Sequence, residues 1–537
     1  MKLTLKGISD RAAFERAGIA LPSYDAAAVR QATAERPRWV HIGVGNIFRI
    51  FIGSIADRLL TGGLMQEGVT CVEPYDYEVI DKIYRPFDNL MLSVILHQDG
   101  TKTKRVLAPF GEAIAAKAGT PQWSRLKEVF CAPGLQLVSF TITEKGYALT
   151  GHDGRYLKWI EEDIRSGPEA ARSAMAVVAA MLHQRYRAGG YPLALVSMDN
   201  CSHNGEKLRE SVLTICREWN KRGFVEDGFL EYVQNDRNIS FPWTMIDKIT
   251  PRPGQSVADE LSADGVEDMQ PIVTDKKTFI APFGNAEEAQ YLVIEDHFPN
   301  GRPALEKAGV YMTSRETVDK AEKMKVNTCL NPIHTALCTY DCMLGHTFFA
   351  DGMNDPELAR LASRIGYAEG LAVVTDPGIL NPKDFLDEVV HVRLSNPFLG
   401  DTSQRIAVDI SQMMGIRFGE TIKSYLQKDG TAAALVGVPL AIAGWLRYLL
   451  AVDDDGKPFA PAPDPLLPEL QRQLAGIELG RPESAADQLR PILSNVNIFG
   501  VDLYNAGLGE KIEAMFREEI AGPGAVRATL RKYLGDL

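Results

Sequence analysis

The chain has 537 residues, 45% of them hydrophobic and 24% charged, the balance of an ordinary globular protein and too many residues for one hydrophobic core. Its net charge of −12 argues against nucleic acid as a partner, which needs a basic face, but leaves room for an acidic small molecule in a local basic pocket. The first residues lack a secretory signal's apolar stretch, the seven cysteines are irregularly spaced, and the longest uncharged apolar run, Ala432 to Leu446, falls short of the roughly 20 residues that cross a bilayer; a cytoplasmic chain with reduced thiols and no membrane partner is expected.

In chain order, Trp39 to Ile42 is a short apolar strand that runs into Gly43-Val44-Gly45. Helical spacing follows from Asn46, with Ile47, Ile50, Phe51, Ile55 and Leu59 apolar, until Gly62-Gly63. Val69 to Val72 is a second strand, stopped by Glu73-Pro74, and Leu90 to Leu107 reads as a hairpin around Asp99-Gly100. Leu135 to Thr143 and Leu193 to Met198 are further buried strands, and this alternation predicts a parallel sheet with helices on both faces. Beyond residue 302 helical periodicity dominates, over 317–344, 355–374, 383–392, 403–426 and 432–452, with a Pro- and Asp-rich loop over 453–468. The expected fold is therefore α/β: a doubly wound N-terminal domain over 1–301 and a mostly α-helical C-terminal domain over 302–537.

Gly43 and Gly45 join a strand to a helix, where a dinucleotide pyrophosphate meets backbone N–H groups. The third glycine of the usual fingerprint is replaced by Phe48. Glu73, at the end of the next strand, is placed to accept ribose hydroxyls and repel a 2′-phosphate, which favours NAD over NADP; the alternative is a surface acid before a proline turn. Two other strands end in polar residues, Thr141-Ile-Thr143-Glu144 and Asp199-Asn200, so Glu144 and Asn200 are candidates for facing a nicotinamide and the reacting carbon, or else turn formers.

The segment Lys325 to His334 combines an amine, an amide and an imidazole, since Asn331 and His334 share one helix face. Such a set can move a proton and hold an oxygen without a metal; a solvated lysine, a capping asparagine and a packed histidine are the alternative. His334, Cys338 and Cys342 recur at intervals of four and raise a zinc site, but three ligands at that spacing climb about 12 Å along a helix, too far for one tetrahedral ion. Arg393, ahead of Asn396-Pro397, has the fork geometry to hold a carboxylate, or makes a surface salt bridge.

Together these motifs resemble the mannitol dehydrogenase family of long-chain polyol and sugar-acid oxidoreductases. The likeness runs through Gly43-Val-Gly45-Asn46 with Arg49, Thr141-Ile-Thr143-Glu144-Lys-Gly146-Tyr147 and Asp199-Asn200 with His203-Asn204-Gly205. It continues through Phe241-Pro242, Met245-Ile-Asp247-Lys248, Gly301-Arg302-Pro303, the Lys325 segment and Arg393-Leu-Ser-Asn396-Pro397, and fades beyond residue 400. The resemblance implies a Rossmann-type domain, a helical domain, an active site in the cleft between them, and metal-independent hydride transfer between NAD(H) and a secondary alcohol or ketone. By match, Lys325 is the general acid/base, Asn200 and Asn331 bind the reacting oxygen, His334 and Arg393 hold the substrate, and Asp247 lines the pocket; Arg393, Lys248 and Arg252 are the candidate partners for a substrate carboxylate. Gly43, Gly45, Asn46, Ile47, Phe48, Arg49, Glu73, Thr143, Glu144 and Asn200 would meet the cofactor. A sugar acid is the expected substrate, with a polyol as the alternative, and a monomer or weak homodimer is the expected state.

The family places its lysine five residues before the asparagine; here the interval is six. A π-bulge would absorb the extra residue, and without one Lys325 would face away. A lysine base also requires burial or nearby cations to lower its pKa by roughly two to three units from 10.4. A zinc enzyme and an inert NAD-binding regulator are the other classes the residues leave open.

Overall fold

Six short apolar runs form one parallel sheet: β1 (Trp39–Ile42), β2 (Val69–Glu73), β3 (Phe110–Ala115), β4 (Leu137–Phe140), β5 (Leu193–Ser197) and β6 (Ile239–Ser240). Their spatial order is β3-β2-β1-β4-β5-β6. That is the doubly wound dinucleotide-binding arrangement, whose ligand crevice opens where the order reverses, between β1 and β4. Every residue of β1, β2, β4 and β5 is buried, because crossover helices cover both faces. These include α1 (Gly53–Thr61), α2 (Pro121–Cys131), α3 (Ala174–Arg187) and α4 (Asn204–Lys221). The computed structural model describes residues 1–151 and 153–535.

The predicted hairpin is present as antiparallel strands Met91–Leu96 and Lys102–Leu107. The strand expected over 135–143 is shorter, ending at Phe140. Its last N–H groups leave the ladder because the Asp199 carboxylate takes those of Ile142 and Thr143, each at 2.9 Å. A second sheet runs β7 (Thr244–Asp247), β8 (Tyr291–Glu295) and β9 (Tyr311–Thr313). The chain divides into two compact units, Met1–Asp319 and Lys320–Leu537. The boundary expected at 301/302 precedes β9, whose parallel pairing with β8 keeps that stretch in the first unit.

The second unit is helical. Helix α5 (Arg315–Lys323) leads into it, followed by α6 (Asn331–Leu344), α7 (Gly437–Tyr448) and α8 (Gly509–Glu519). The stretches that read as single helices over 317–344, 355–374 and 403–426 are interrupted by π-turns at Met324–Cys329, Arg364–Gly370 and Gly415–Gly419. Among the described residues there are three more, Phe48–Ile52, Ile80–Tyr84 and Val389–Arg393. π-Turns are rare and cluster at functional sites. Phe48, Arg49, Lys325 and Arg393 all lie on such turns. Among the described residues no helix is long and apolar enough to cross a membrane.

Helix α6 packs against α7 at Gly444, where a Cβ would stand 2.4 Å from the Tyr340 ring. The Tyr340 hydroxyl donates to the Leu440 carbonyl at 2.8 Å and to Glu519 of α8 at 2.6 Å. Burial pushes the Glu519 carboxyl from 4.5 up to about 8. The folded chain thus holds this proton more tightly than the unfolded chain, so the stability it contributes is complete below about pH 4.5 and is lost as the pH rises through 8. Glu519→Gln is therefore expected to raise the melting temperature by about 2–4 °C at pH 9 and to leave it unchanged at pH 5, measured by calorimetry.

Candidate active site

In the first unit the two loop glycines are required for different reasons. Gly43 adopts φ +90°, and a Cβ there would lie 2.3 Å from the Thr141 carbonyl oxygen. A Cβ on Gly45 would meet nothing within 4 Å, so its backbone borders open space. Phe48, in place of a third glycine, is fully buried and stacks on His41 with centroids 3.9 Å apart. The close approach of helix to sheet is supplied by Gly53 instead, where a Cβ would sit 2.5 Å from the Phe110 ring. Gly43→Ala is expected to weaken NADH binding more than tenfold, read by fluorescence titration, since the loop must move to relieve both the clash and the left-handed φ.

Glu73 ends β2 with its carboxylate turned back on the loop. It accepts from the Val44 N–H at 3.2 Å and from the Tyr75 and Asp76 N–H groups at 3.0 Å. Burial raises its pKa, and these backbone donors partly offset the shift. Asn46 donates its amide to the Phe279 carbonyl at 3.3 Å, while its Oδ1 is buried with no hydrogen-bond partner among the described residues. The Arg49 guanidinium is also buried, 5.9 Å from the Tyr84 ring, and neither Nη atom has a hydrogen bond among the described residues. Burial lowers its pKa to about 10. Tyr84 in turn donates to the Val44 carbonyl of the loop at 3.1 Å.

The ends of β4 and β5 are tied together by Asp199. Besides the two N–H groups of Ile142 and Thr143, its carboxylate accepts the Tyr147 hydroxyl at 2.6 Å. Thr143 is held at φ +65°, a conformation costing about 1–3 kcal/mol that persists because these bonds fix it. The Asn204 amide bridges the Asp199 carbonyl at 2.9 Å and the Thr244 carbonyl at 3.0 Å, joining the crevice edge to β7. Asn200 is exposed beside this clamp. Glu144 is exposed and pairs with Lys207 of α4. Asp247 is buried at the end of β7. Lys248 is buried with its ammonium donating to the Glu287 and Ala289 carbonyls, at 2.7 and 3.3 Å, and lying 5.6 Å from the Phe51 ring centroid. It holds the turn before β8 in its own unit.

In the second unit the extra residue before Asn331 is absorbed. The π-turn spans Met324–Cys329, and the Leu330 N–H donates to the Lys325 carbonyl at 3.1 Å, a step of five residues. Leu330 then breaks the helix at φ −127°, and α6 restarts with Pro332 in its first turn, where a missing N–H costs nothing. Lys325 is 1% exposed. The Asn331 Oδ1 is buried without a hydrogen-bond partner among the described residues. His334 lies one helical turn on, its ring 4.9 Å from Phe349. Arg393 closes the π-turn Val389–Arg393, 2% exposed, with its guanidinium 6.0 Å from the Phe385 ring. The Cys338 thiol donates to the Thr335 carbonyl at 3.3 Å, and no group of three or more His, Cys, Asp or Glu among the described residues is placed to hold a metal ion.

The Asp199 clamp escaped sequence reading because Asp-Asn looks like a turn former; the polar run at the end of β5 was its only local signal. A dinucleotide fits the first unit: Gly45 leaves room at the helix entry, Asn46 has an unmatched acceptor, and the uncompensated Arg49 charge suits a nearby pyrophosphate. The sheet order, the glycine loop and the acid ending β2 define a dinucleotide-binding protein of the doubly wound class.

Comparison with known proteins narrows that class. Residues 37–307 match the mannitol dehydrogenase Rossmann domain and residues 317–518 the mannitol dehydrogenase C-terminal domain. The chain is 50% identical to a D-mannonate oxidoreductase of Thermotoga maritima over 538 residues, covering 100% of this chain and 99% of that protein. It is 28% identical to a mannitol 2-dehydrogenase of Cereibacter sphaeroides over 530 residues, covering 96% and 98%. A solved structure of Pseudomonas fluorescens mannitol 2-dehydrogenase, a ternary complex with NAD and D-mannitol, superposes with a TM-score of 0.73 at 25% identity over the full length of both chains. The chain belongs to the mannitol dehydrogenase family.

Proposed function

We propose that this chain is a cytoplasmic NAD-dependent oxidoreductase that interconverts fructuronate and D-mannonate. The observation that carries the substrate reading is its 50% identity, over its whole length, to a D-mannonate oxidoreductase. The seven free cysteines suit a reducing compartment. Gly43, Gly45, Asn46, Arg49 and Glu73 would hold the dinucleotide, with Ile47 and Thr143 shaping its walls, while Phe48, expected there from the sequence, packs in the core against His41. When bound, NADH would supply the hydride that a carbonyl carbon gains, and NAD⁺ would accept the hydride that an alcohol carbon loses.

The chain's residues supply the proton and hold the oxygen. In the reducing direction Lys325, as ammonium, gives a proton to the carbonyl oxygen, and in the oxidising direction the neutral amine takes it back. Asn331 and Asn200 are assigned to that oxygen as amide donors, which stabilise the charge that builds on it. A substrate hydroxyl accepted at Asn331 Oδ1 would remove the cost of burying that atom unmatched. His334 and Asp247 are assigned to neighbouring hydroxyls. Arg393, a buried guanidinium, is assigned to the hexuronate carboxylate, because the Lys248 ammonium already donates to backbone carbonyls.

NADH oxidation with fructuronate, tagaturonate and fructose side by side tests this reading. Fructuronate is expected to give the highest kcat/KM by at least tenfold. A higher value for fructose would favour a polyol 2-dehydrogenase instead.

A further inference from the structure

Helix α6 carries a polar stripe that runs past the residues assigned to the substrate. Asn331, His334, Thr335 and Cys338 recur at i, i+3, i+4 and i+7, so they share one face. The π-turn Gly415–Gly419 lays Arg417 on that stripe, with Nη1 donating to the Thr335 hydroxyl at 2.6 Å. The helix that continues from it, Glu420–Asp429, is fastened to the Lys325 turn: the Thr421 hydroxyl donates to the Asn327 carbonyl at 2.8 Å. All of these residues belong to the second unit.

Arg417 is a partly buried cation with no carboxylate paired to it among the described residues. Its Nε is buried without a hydrogen-bond partner, and burial lowers its pKa. The ionisable group that acts on it is the Cys338 thiol, which burial keeps neutral by pushing its pKa well up. A guanidinium stays charged at neutral pH, so this one bears a desolvation cost that no acid of the chain offsets. Arg447 and Arg185, also buried, are matched instead. Arg447 donates to the Val452, Asp453 and Glu519 carbonyls, and Arg185 to those of Phe130, Leu135 and Pro192. Since Thr335 occupies only Nη1, the Nε and Nη2 edge of Arg417 keeps the fork that a carboxylate fits.

We propose that Arg417 is a specificity-determining residue: with Arg393 it receives the carboxylate of a sugar acid, and it sets that substrate apart from a neutral ketose or polyol. This inference rests on the sugar-acid reading above. Thr335 lies one turn beyond Asn331, about 6 Å of helix rise. In fructuronate the carboxylate carbon is about 5 Å from the ketone carbon when the chain is extended. A ketone oxygen held at Asn331 therefore brings the carboxylate level with Thr335 and Arg417. In fructose the same position carries a hydroxymethyl group, which leaves the guanidinium uncompensated.

Steady-state kinetics of the full chain with fructuronate and with fructose, at saturating NADH, test it. Arg417→Met is expected to lower kcat/KM for fructuronate about 100-fold, chiefly through KM, and to leave that for fructose within about twofold. Arg417→Lys, which keeps the charge without the fork, is expected to recover part of the loss. Thr335→Val, which releases the guanidinium from its anchor, is expected to raise KM for fructuronate about tenfold and to spare fructose. An unchanged ratio of the two kcat/KM values in Arg417→Met would overturn the proposal. So would an equal loss with both substrates, the mark of a purely structural role. Should Arg417→Met fail to fold, the same ratio in Arg417→Lys and Thr335→Val decides. An unaltered chain that prefers fructose would instead overturn the sugar-acid reading itself.

Discussion

Lys325→Ala is expected to lower kcat for fructuronate reduction by about 10³–10⁴-fold while leaving the dissociation constant for NADH within about twofold. The loss is expected in the chemical step because the proposed role of the ammonium lies where the carbonyl oxygen gains charge, whereas the residues proposed to hold the dinucleotide belong to the other unit. Lys325 is nearly fully buried on the π-turn Met324–Cys329, six residues before Asn331. An ordinary α-helix over the same residues would turn the side chain to another face. Steady-state kinetics together with NADH fluorescence titration separate the two quantities.

Asp199→Ala is expected to destabilise the N-terminal unit by about 3 kcal/mol and to lower the affinity for NADH in parallel. The substitution leaves the Ile142 and Thr143 N–H groups without their acceptor and the Tyr147 hydroxyl with Ser197 as its remaining partner at 2.8 Å, at about 1–3 kcal/mol for each group that stays buried and unmatched. It also frees Thr143 to leave φ +65°, which offsets part of that cost and unshapes the end of β4. Burial raises the Asp199 pKa, so the folded chain binds this proton more tightly than the unfolded chain, and acidification through the carboxylate range is expected to act through this group in the opposite direction to the substitution. Denaturant melts followed by tryptophan emission measure the first effect and NADH titration the second.

The parts legible in the sequence are those set by local composition. Strands β1 and β2 begin and end where apolar runs meet Gly43 and Pro74, and the Asp99-Gly100 pair announces its hairpin. Helical periodicity located the second unit but passed through its π-turns without a sign, because one added residue shifts a pattern no more than normal scatter does. Only the changed interval before Asn331 pointed to one of them.

Groups whose role depends on distant partners were harder to read. Glu144 and Lys248 have the right chemistry at the right strand ends, yet Lys207 and the Glu287 carbonyl engage them, and nothing near them in sequence says so. The short hairpin with strands Ile272–Val273 and Phe279–Ile280 is likewise held from afar, by Asp76 and Asn46.

The central claim is that the Lys325 amine is the proton carrier. Chemical rescue tests it directly: turnover of fructuronate by Lys325→Ala is measured with increasing methylamine or ethylamine. Rate recovery that grows with amine concentration and follows the fraction of amine in the correct protonation state is the predicted result. Turnover at the unaltered rate with no amine present would contradict it.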